Sequence, residues 1–156
     1  MAIREVTNSE GNVIGYQENG GPIYRTYQEA QNKSNSCPEA TQNIDVNLRN
    51  RQIAIDEYNY GPLDPSQPNT EYWQEIADAW NTDDIEKVKS ARCGNCGAFN
   101  VSYKMKQCIA QGIGSEPQAD AMDSVDAGEL GYCQFLKFKC ASERTCIAWI
   151  SGGPIR

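Results

Sequence analysis

The sequence predicts a small, irregular α+β protein: a strand-bearing N-terminal arm, a helical segment, then a cysteine-rich module with short strands. Three observations carry that expectation. The chain has 156 residues, the size of one ordinary domain or two small ones. Its first forty or so residues alternate short polar strands with turn residues, whereas residues 43–90 repeat their apolar positions at helical spacing. Six of its seven cysteines (Cys93, Cys96, Cys108, Cys133, Cys140 and Cys146) fall within 54 residues. The expected divisions are an arm over 1–40, a helical segment over 41–90 and a cysteine module over 91–156.

Each element has a local reason. In the arm, residues 3–6, 13–16 and 23–27 read as strands separated by Glu10-Gly11-Asn12 and Gly20-Gly21-Pro22, so one or two hairpins are expected. Residues 28–40 are rich in Gln, Asn and Ser and too poor in apolar positions to bury. They read as a linker, or as an arm that orders against a partner, and Cys37 within them reads as a lone exposed thiol. Over 43–58, Leu48, Ala54, Ile55 and Tyr58 recur near helical spacing, and Gly61-Pro62 supplies a stop. After the spacer of Pro62, Pro65 and Pro68, Asn69 or Thr70 can cap a second helix with Tyr72, Trp73, Ile76, Ala79 and Trp80 on one face. Such an aromatic stripe reads as core. Thr82 can cap a third, short helix towards Ser90, with Asp83 and Asp84 complementing its dipole.

In the run Arg92-Cys93-Gly94-Asn95-Cys96-Gly97, glycines flank the thiols and free the backbone to turn N–H groups towards sulfur, as in a metal-knuckle loop. Residues 102–111 read as a brief helix ended by Gly112 and Gly114, with Met105, Cys108 and Ile109 on one side. Residues 115–131 are acidic and Gly-bearing and read as a surface loop. The alternation YCQFLKF over 132–138 signals a strand, and 145–150 is a second short apolar run carrying Cys146 and Trp149. Gly152-Gly153-Pro154 reads as a closing turn.

Composition narrows the function. Hydrophobic residues make up 39% of the chain and the mean hydropathy is -0.66, so the core is modest. Three Trp, eight Tyr and three Phe are nevertheless enough to anchor a loop-rich unit. No run approaches the length of a membrane span, and the start lacks the basic end and apolar stretch of a signal peptide, so neither is expected. A net charge of -7 argues against nucleic-acid binding by the whole surface. The charge is uneven. Residues 1–86 carry 5 basic and 15 acidic side chains, whereas 87–156 carry 9 basic and 6 acidic, five of those acids lying over 116–129. The cysteine-bearing parts are therefore basic, which suits an anionic group among them.

The chain has no His. That removes Ser-His and Cys-His catalytic pairs, mixed Cys-His zinc sites and haem held by imidazole. Adjacent carboxylates such as Asp83-Asp84 and Asp56-Glu57 diverge on a helix and read as solvated faces, and no phosphate-cradling Gly loop occurs. No enzymatic role is expected. For the cysteines, disulfides, structural zinc, a thioredoxin-like redox pair and an iron-sulfur cluster compete. Cys93-x-x-Cys96 is one good zinc half-site, but no second close pair follows it. A cluster needs four thiolates converging from separate segments inside a dry shell. Phe99, Tyr103, Tyr132, Phe135, Phe138 and Trp149 crowd the same segments as the thiols.

The order CGNCGAF, GYCQFLKF and TCIAWISGG resembles the cysteine framework of high-potential iron-sulfur proteins. The resemblance covers residues 92–153 and implies one 4Fe-4S cluster held by Cys93, Cys96, Cys133 and Cys146. The 12 residues between Cys133 and Cys146 suit that family, whereas the 36 between Cys96 and Cys133 are more than usual and carry Cys108. Cys108 and Cys140 are then spare thiols that pair, stay buried and free, or displace one of the four.

From about Ala40 onward the chain also looks like proteins encoded by tailed phages of marine and cyanobacterial hosts. This implies a virion or host-cytoplasm location, with the N-terminal arm docking onto a protein partner such as another virion component. The expected function is a 4Fe-4S protein whose cluster is structural within an assembly or interaction protein. The alternatives are a soluble one-electron carrier and a Cys-only structural zinc protein.

Overall fold

Alternating side chains at the start of the chain do form strands. In the computed structural model, β1 (Ile3–Thr7), β2 (Val13–Glu18) and β3 (Ile23–Tyr24) make an antiparallel sheet in that order. Its first turn is held by Asn8, whose side-chain oxygen accepts from the N–H groups of Glu10 and Asn12, both at 3.0 Å. Gly11 takes a φ of 83°, open to glycine at no steric cost. The described residues are 3–18, 23–24, 36–114 and 120–156. The expected continuation of the third strand to residue 27, and most of the polar arm, lie outside them. Two units are distinguished, Met1–Cys37 and Pro38–Arg156.

In the second unit the helical segment and the cysteine segment pack as one body. Its first helix, α1 (Glu39–Gln42), begins in residues expected to be linker and ends in the expected helical segment. The long helix α2 (Ile44–Tyr58) begins where Asn43 accepts from the N–H groups of Asp45 and Val46, at 3.0 and 3.2 Å. It stops at Asn59, whose φ of 51° turns the chain so that the Tyr60 N–H bonds back to the Ala54 carbonyl. Helix α3 (Thr70–Ala79) follows the proline spacer and buries Trp73, Ile76 and Ala77 against Val88 of α4 (Ile85–Ser90). Of the expected stripe Trp73 and Ile76 are core and Tyr72 and Trp80 half-buried beside them, whereas Ala79 is exposed and Ala77 is buried instead. The cap of α4 is Asp84, which accepts from Lys87 N–H at 3.1 Å, whereas the expected cap Thr82 accepts from Asp84 N–H one step earlier.

Helix α5 (Tyr103–Ile113), capped by Ser102, buries Met105, Cys108 and Ile109 as its spacing predicts. The segment expected as an acidic surface loop is different. Over its described part it contains α6 (Ala121–Ala127), capped by Asp120, because Ala121 and Val125 at i and i+4 bury on one side while Asp123 and Asp126 stay out. Residues 132–138 are not one strand. Strand β5 (Leu130–Cys133) ends at Cys133, the chain turns through Lys137 at a φ of 59°, and β6 (Phe138–Ala141) returns antiparallel. With β4 (Phe99–Asn100) these form a sheet of order β4-β5-β6, in which Cys133 pairs with both Phe99 and Phe138. The run 145–150 is irregular; only Thr145 pairs, with Gly61. Among the described residues no helix is long and apolar enough to cross a membrane.

Candidate metal centre

Helix α2 is pinned to the β5–β6 hairpin by its amides, and this sets the floor of the site. Asn47 accepts from the Lys139 N–H at 2.8 Å, and Asn50 donates to the Lys137 carbonyl at 2.7 Å. The turn after α2 then delivers Tyr60, whose ring meets Phe138 edge-on at 4.9 Å and whose hydroxyl accepts from the Ala141 N–H at 3.3 Å. The helical half thus contributes to a site expected from residues 90–153 alone.

The Cys93–Asn95 segment is a 3-10 turn gripped from two sides. The turn after β6 accepts from Cys93 N–H through Arg144 at 2.6 Å and from Gly94 N–H through Ser142 at 2.9 Å. The tail grips it again: Gly97 N–H donates to Ile150, and Trp149 Nε1 donates to the Arg92 carbonyl and Asn95 Oδ1 at 3.0 and 2.9 Å. Gly153 must be glycine, because a side chain there would collide with the Cys96 carbonyl.

Together these segments enclose a cavity lined by Cys93, Cys96, Cys133, Cys140 and Cys146, with Tyr60, Phe99, Leu136, Phe138, Thr145 and Trp149 completing the wall. Its volume is about 20 Å³, room for about one water. No lining side chain carries a formal charge. The four thiols expected from the resemblance are all brought together, and Cys140 joins them. All five are free, whereas Cys37 and Cys108 are each disulfide-bonded. Cys37 is therefore not the lone thiol expected of it, and Cys108 is not a candidate ligand. Of the aromatics expected here, Phe99, Phe138 and Trp149 line the cavity, while Tyr103 and Phe135 are exposed.

Burial dominates the electrostatics. It raises the Cys133 thiol above its ordinary range, opposed by the N–H groups of Leu136 and Phe135; the Leu136 N–H lies 3.3 Å from the sulfur. Burial likewise pushes Cys146 up to about 12, opposed by the Ala148 N–H, and raises Cys140, with the neighbouring Cys93 adding to it. Tyr60 is raised by burial first and then by the thiols of Cys140 and Cys93. The two nearest arginines stand outside the cavity: Arg92 lies over the Trp73 ring at 4.5 Å and Arg144 over the Tyr60 ring at 5.8 Å.

Thr145 was not anticipated, and its chemistry is the most telling. Its backbone is locked to Gly61 by hydrogen bonds of 2.7 and 3.0 Å. Its side chain is fully buried in the cavity wall, and Oγ1 has no hydrogen-bond partner. A buried hydroxyl left so costs about 1–3 kcal/mol. The cavity itself offers sulfur from four segments, with backbone N–H groups aimed at the sulfurs of Cys133 and Cys146. It suits a soft, anionic, sulfur-rich group. Among the described residues no three metal-ligating side chains meet closely enough to hold a single ion. All five free thiols line the one cavity.

No family model matches the chain, and neither does any curated protein or solved structure.

Proposed function

We propose that the protein binds one 4Fe-4S cluster through Cys93, Cys96, Cys133 and Cys146, and that the cluster is a structural element of an assembly or interaction protein. One observation carries the reading: five free thiols line a single uncharged cavity whose wall holds an unpartnered buried hydroxyl. A single zinc ion draws its four ligands to one point. A cubane carries them on its outside, which agrees better with thiols spread round a wall. A group larger than a water moves the lining sulfurs outward.

The structural role rests on where the cavity lies. Ala54, Tyr60, Cys93, Cys96, Phe99, Phe138 and Cys140 form one hydrophobic cluster with Cys133, Cys146, Leu136 and Trp149 packed on it, so the metal centre is itself a main core. In a chain of modest apolar content, binding free energy at such a place is folding free energy. When bound, the cluster would supply four strong iron–sulfur bonds joining the segments that hold the thiols. Its role is non-catalytic, since an open iron corner needs only three protein ligands and five thiols are present.

The assembly role draws on the N-terminal unit, where a three-stranded sheet leaves Val13, Ile14 and Ile23 about half exposed. Such a sheet is marginal without an apolar face to cover it, which favours docking on a protein partner. The likeness to tailed-phage proteins makes another virion component the natural candidate. The test is chemical denaturation of anaerobic protein before and after iron removal, with EPR of the same samples. A large loss of stability on iron removal, with a cluster inert to mild oxidant and reductant, supports the structural role. A reversible oxidation-induced signal with little change in stability transfers the assignment to the one-electron carrier.

A further inference from the structure

A second hollow opens at the end of α3, and no thiol lines it. The chain leaves α3 through Asn81, whose φ of 53° turns it towards α4. Trp80 and Thr82 before the turn, Lys87, Val88 and Ala91 after it, and Trp149 of the tail share the wall. The hollow's volume is about 330 Å³, in the range of sites that take small molecules. Both indoles are fixed by their N–H groups: Trp80 Nε1 donates to the Ile147 carbonyl at 2.9 Å, and Trp149 Nε1 to Arg92 and Asn95. Those donors are spent, so the rings meet an occupant with their faces and carbon edges. With centroids 6.0 Å apart and planes at 48°, the two rings touch and make one bent wall, with no slot between them for a third ring.

The polar groups of the hollow are of one kind. Ser90 Oγ is committed to the Lys87 carbonyl at 2.6 Å. Thr82 Oγ1 accepts from the Asp84 N–H at 3.2 Å and keeps its own proton to donate. Lys87 is exposed, and its ammonium has no ion-pair partner among the described residues. No carboxylate lines the hollow. The neighbouring acids are engaged or lie elsewhere: Asp84 takes the Lys87 backbone N–H at 3.1 Å, Glu86 pairs with Lys89 at 3.5 Å, and Asp83 lines a separate hollow. We propose that this hollow binds a small aromatic carboxylate, its ring flat on the Trp80–Trp149 wall and its carboxylate held by the Lys87 ammonium and the Thr82 hydroxyl. A cationic occupant would meet Lys87 as a like charge. A purely apolar one would displace water from both donors without replacing its hydrogen bonds.

The test is calorimetric titration of the full chain with three probes: phenylacetate, its uncharged analogue phenylacetamide, and acetate, which has the charge without the ring. Phenylacetate should bind saturably with a Kd on the order of 1 mM, phenylacetamide several-fold more weakly, and acetate not measurably. Trp149 also lines the thiol cavity, so its replacement would disturb both places. Lys87 is exposed and away from the core, and Lys87→Ala should keep the fold by circular dichroism while lowering phenylacetate affinity to that of phenylacetamide. Absence of saturable phenylacetate binding overturns the proposal. So does phenylacetamide or acetate binding as tightly as phenylacetate, or an affinity for phenylacetate unchanged by Lys87→Ala, which would put its site elsewhere.

Discussion

Replacing Thr145 by Val removes one hydroxyl from the wall of the cavity, and the sign of its effect depends on what the cavity holds. Thr145 is completely buried, its Oγ1 has no partner, and its backbone is held on both sides by Gly61, so the hydroxyl cannot turn out to water. In the metal-free chain the valine methyl fills nearly the same volume and relieves a buried unsatisfied hydroxyl. That should stabilise the fold by about 1–3 kcal/mol. If the hydroxyl donates to a sulfur of the bound cluster, losing that hydrogen bond to a charged acceptor should cost about 1.5–3 kcal/mol in the loaded chain. The assay is urea denaturation of wild type and Thr145→Val in both states, followed by circular dichroism. A shift of the same sign and size in both states would refute the argument that Thr145 faces the bound group. Thr145→Ser should restore wild-type behaviour in the loaded state.

Cys133→Ser and Cys146→Ser should each abolish the cluster's visible absorption, whereas Cys108→Ser should leave it intact because Cys108 is disulfide-bonded and away from the cavity; a cluster retained in either of the first two refutes the ligand set. Phe138→Ala empties a site 1% exposed beneath the Tyr60 ring and should cost roughly 3–5 kcal/mol in urea unfolding. For the metal-free chain, the Cys146 thiol is raised from 9.0 to about 12 in the fold, so its contribution is complete below about pH 9. As pH rises towards 12 the unfolded chain loses that proton first, and stability should fall by about 1.4 kcal/mol per pH unit. Cys133 and Cys140 shift in the same direction and steepen the fall. Thiolates bound to iron have no proton to lose, so in the loaded chain only the Cys140 part of this decline should remain.

The helices were legible because their signals are local. Ala54 and Ile55 near helical spacing in α2, and Trp73 and Ile76 on one face of α3, need no distant partner to be recognised, although Leu48 and Ala79 of the expected stripes are exposed. Helix α6 was hidden because four acidic residues surround only two buried ones, Ala121 and Val125, a stripe too narrow to stand out. The β5–β6 hairpin was read as one strand because its turn carries Lys137 at positive φ, without the glycine or asparagine that usually marks one. At the site, the Cys93–Cys96 loop announced itself through its glycines, and the resemblance supplied Cys133 and Cys146. Tyr60 and Thr145 gave no comparable signal. Tyr60 reaches the cavity only because Asn47 and Asn50 dock α2 on the hairpin, and Thr145 matters only because nothing pairs with its hydroxyl; both are tertiary facts. Cys37 looked isolated for the same reason, since a disulfide leaves no local mark in the sequence.

The measurement that bears most directly on the central claim is iron, acid-labile sulfide and zinc analysis of anaerobically purified protein, with its visible spectrum. About four iron and four sulfide per chain, with broad visible absorption, is the predicted result. Colourless protein carrying zinc, or carrying no metal with the five cavity thiols unprotected from alkylation, would contradict it.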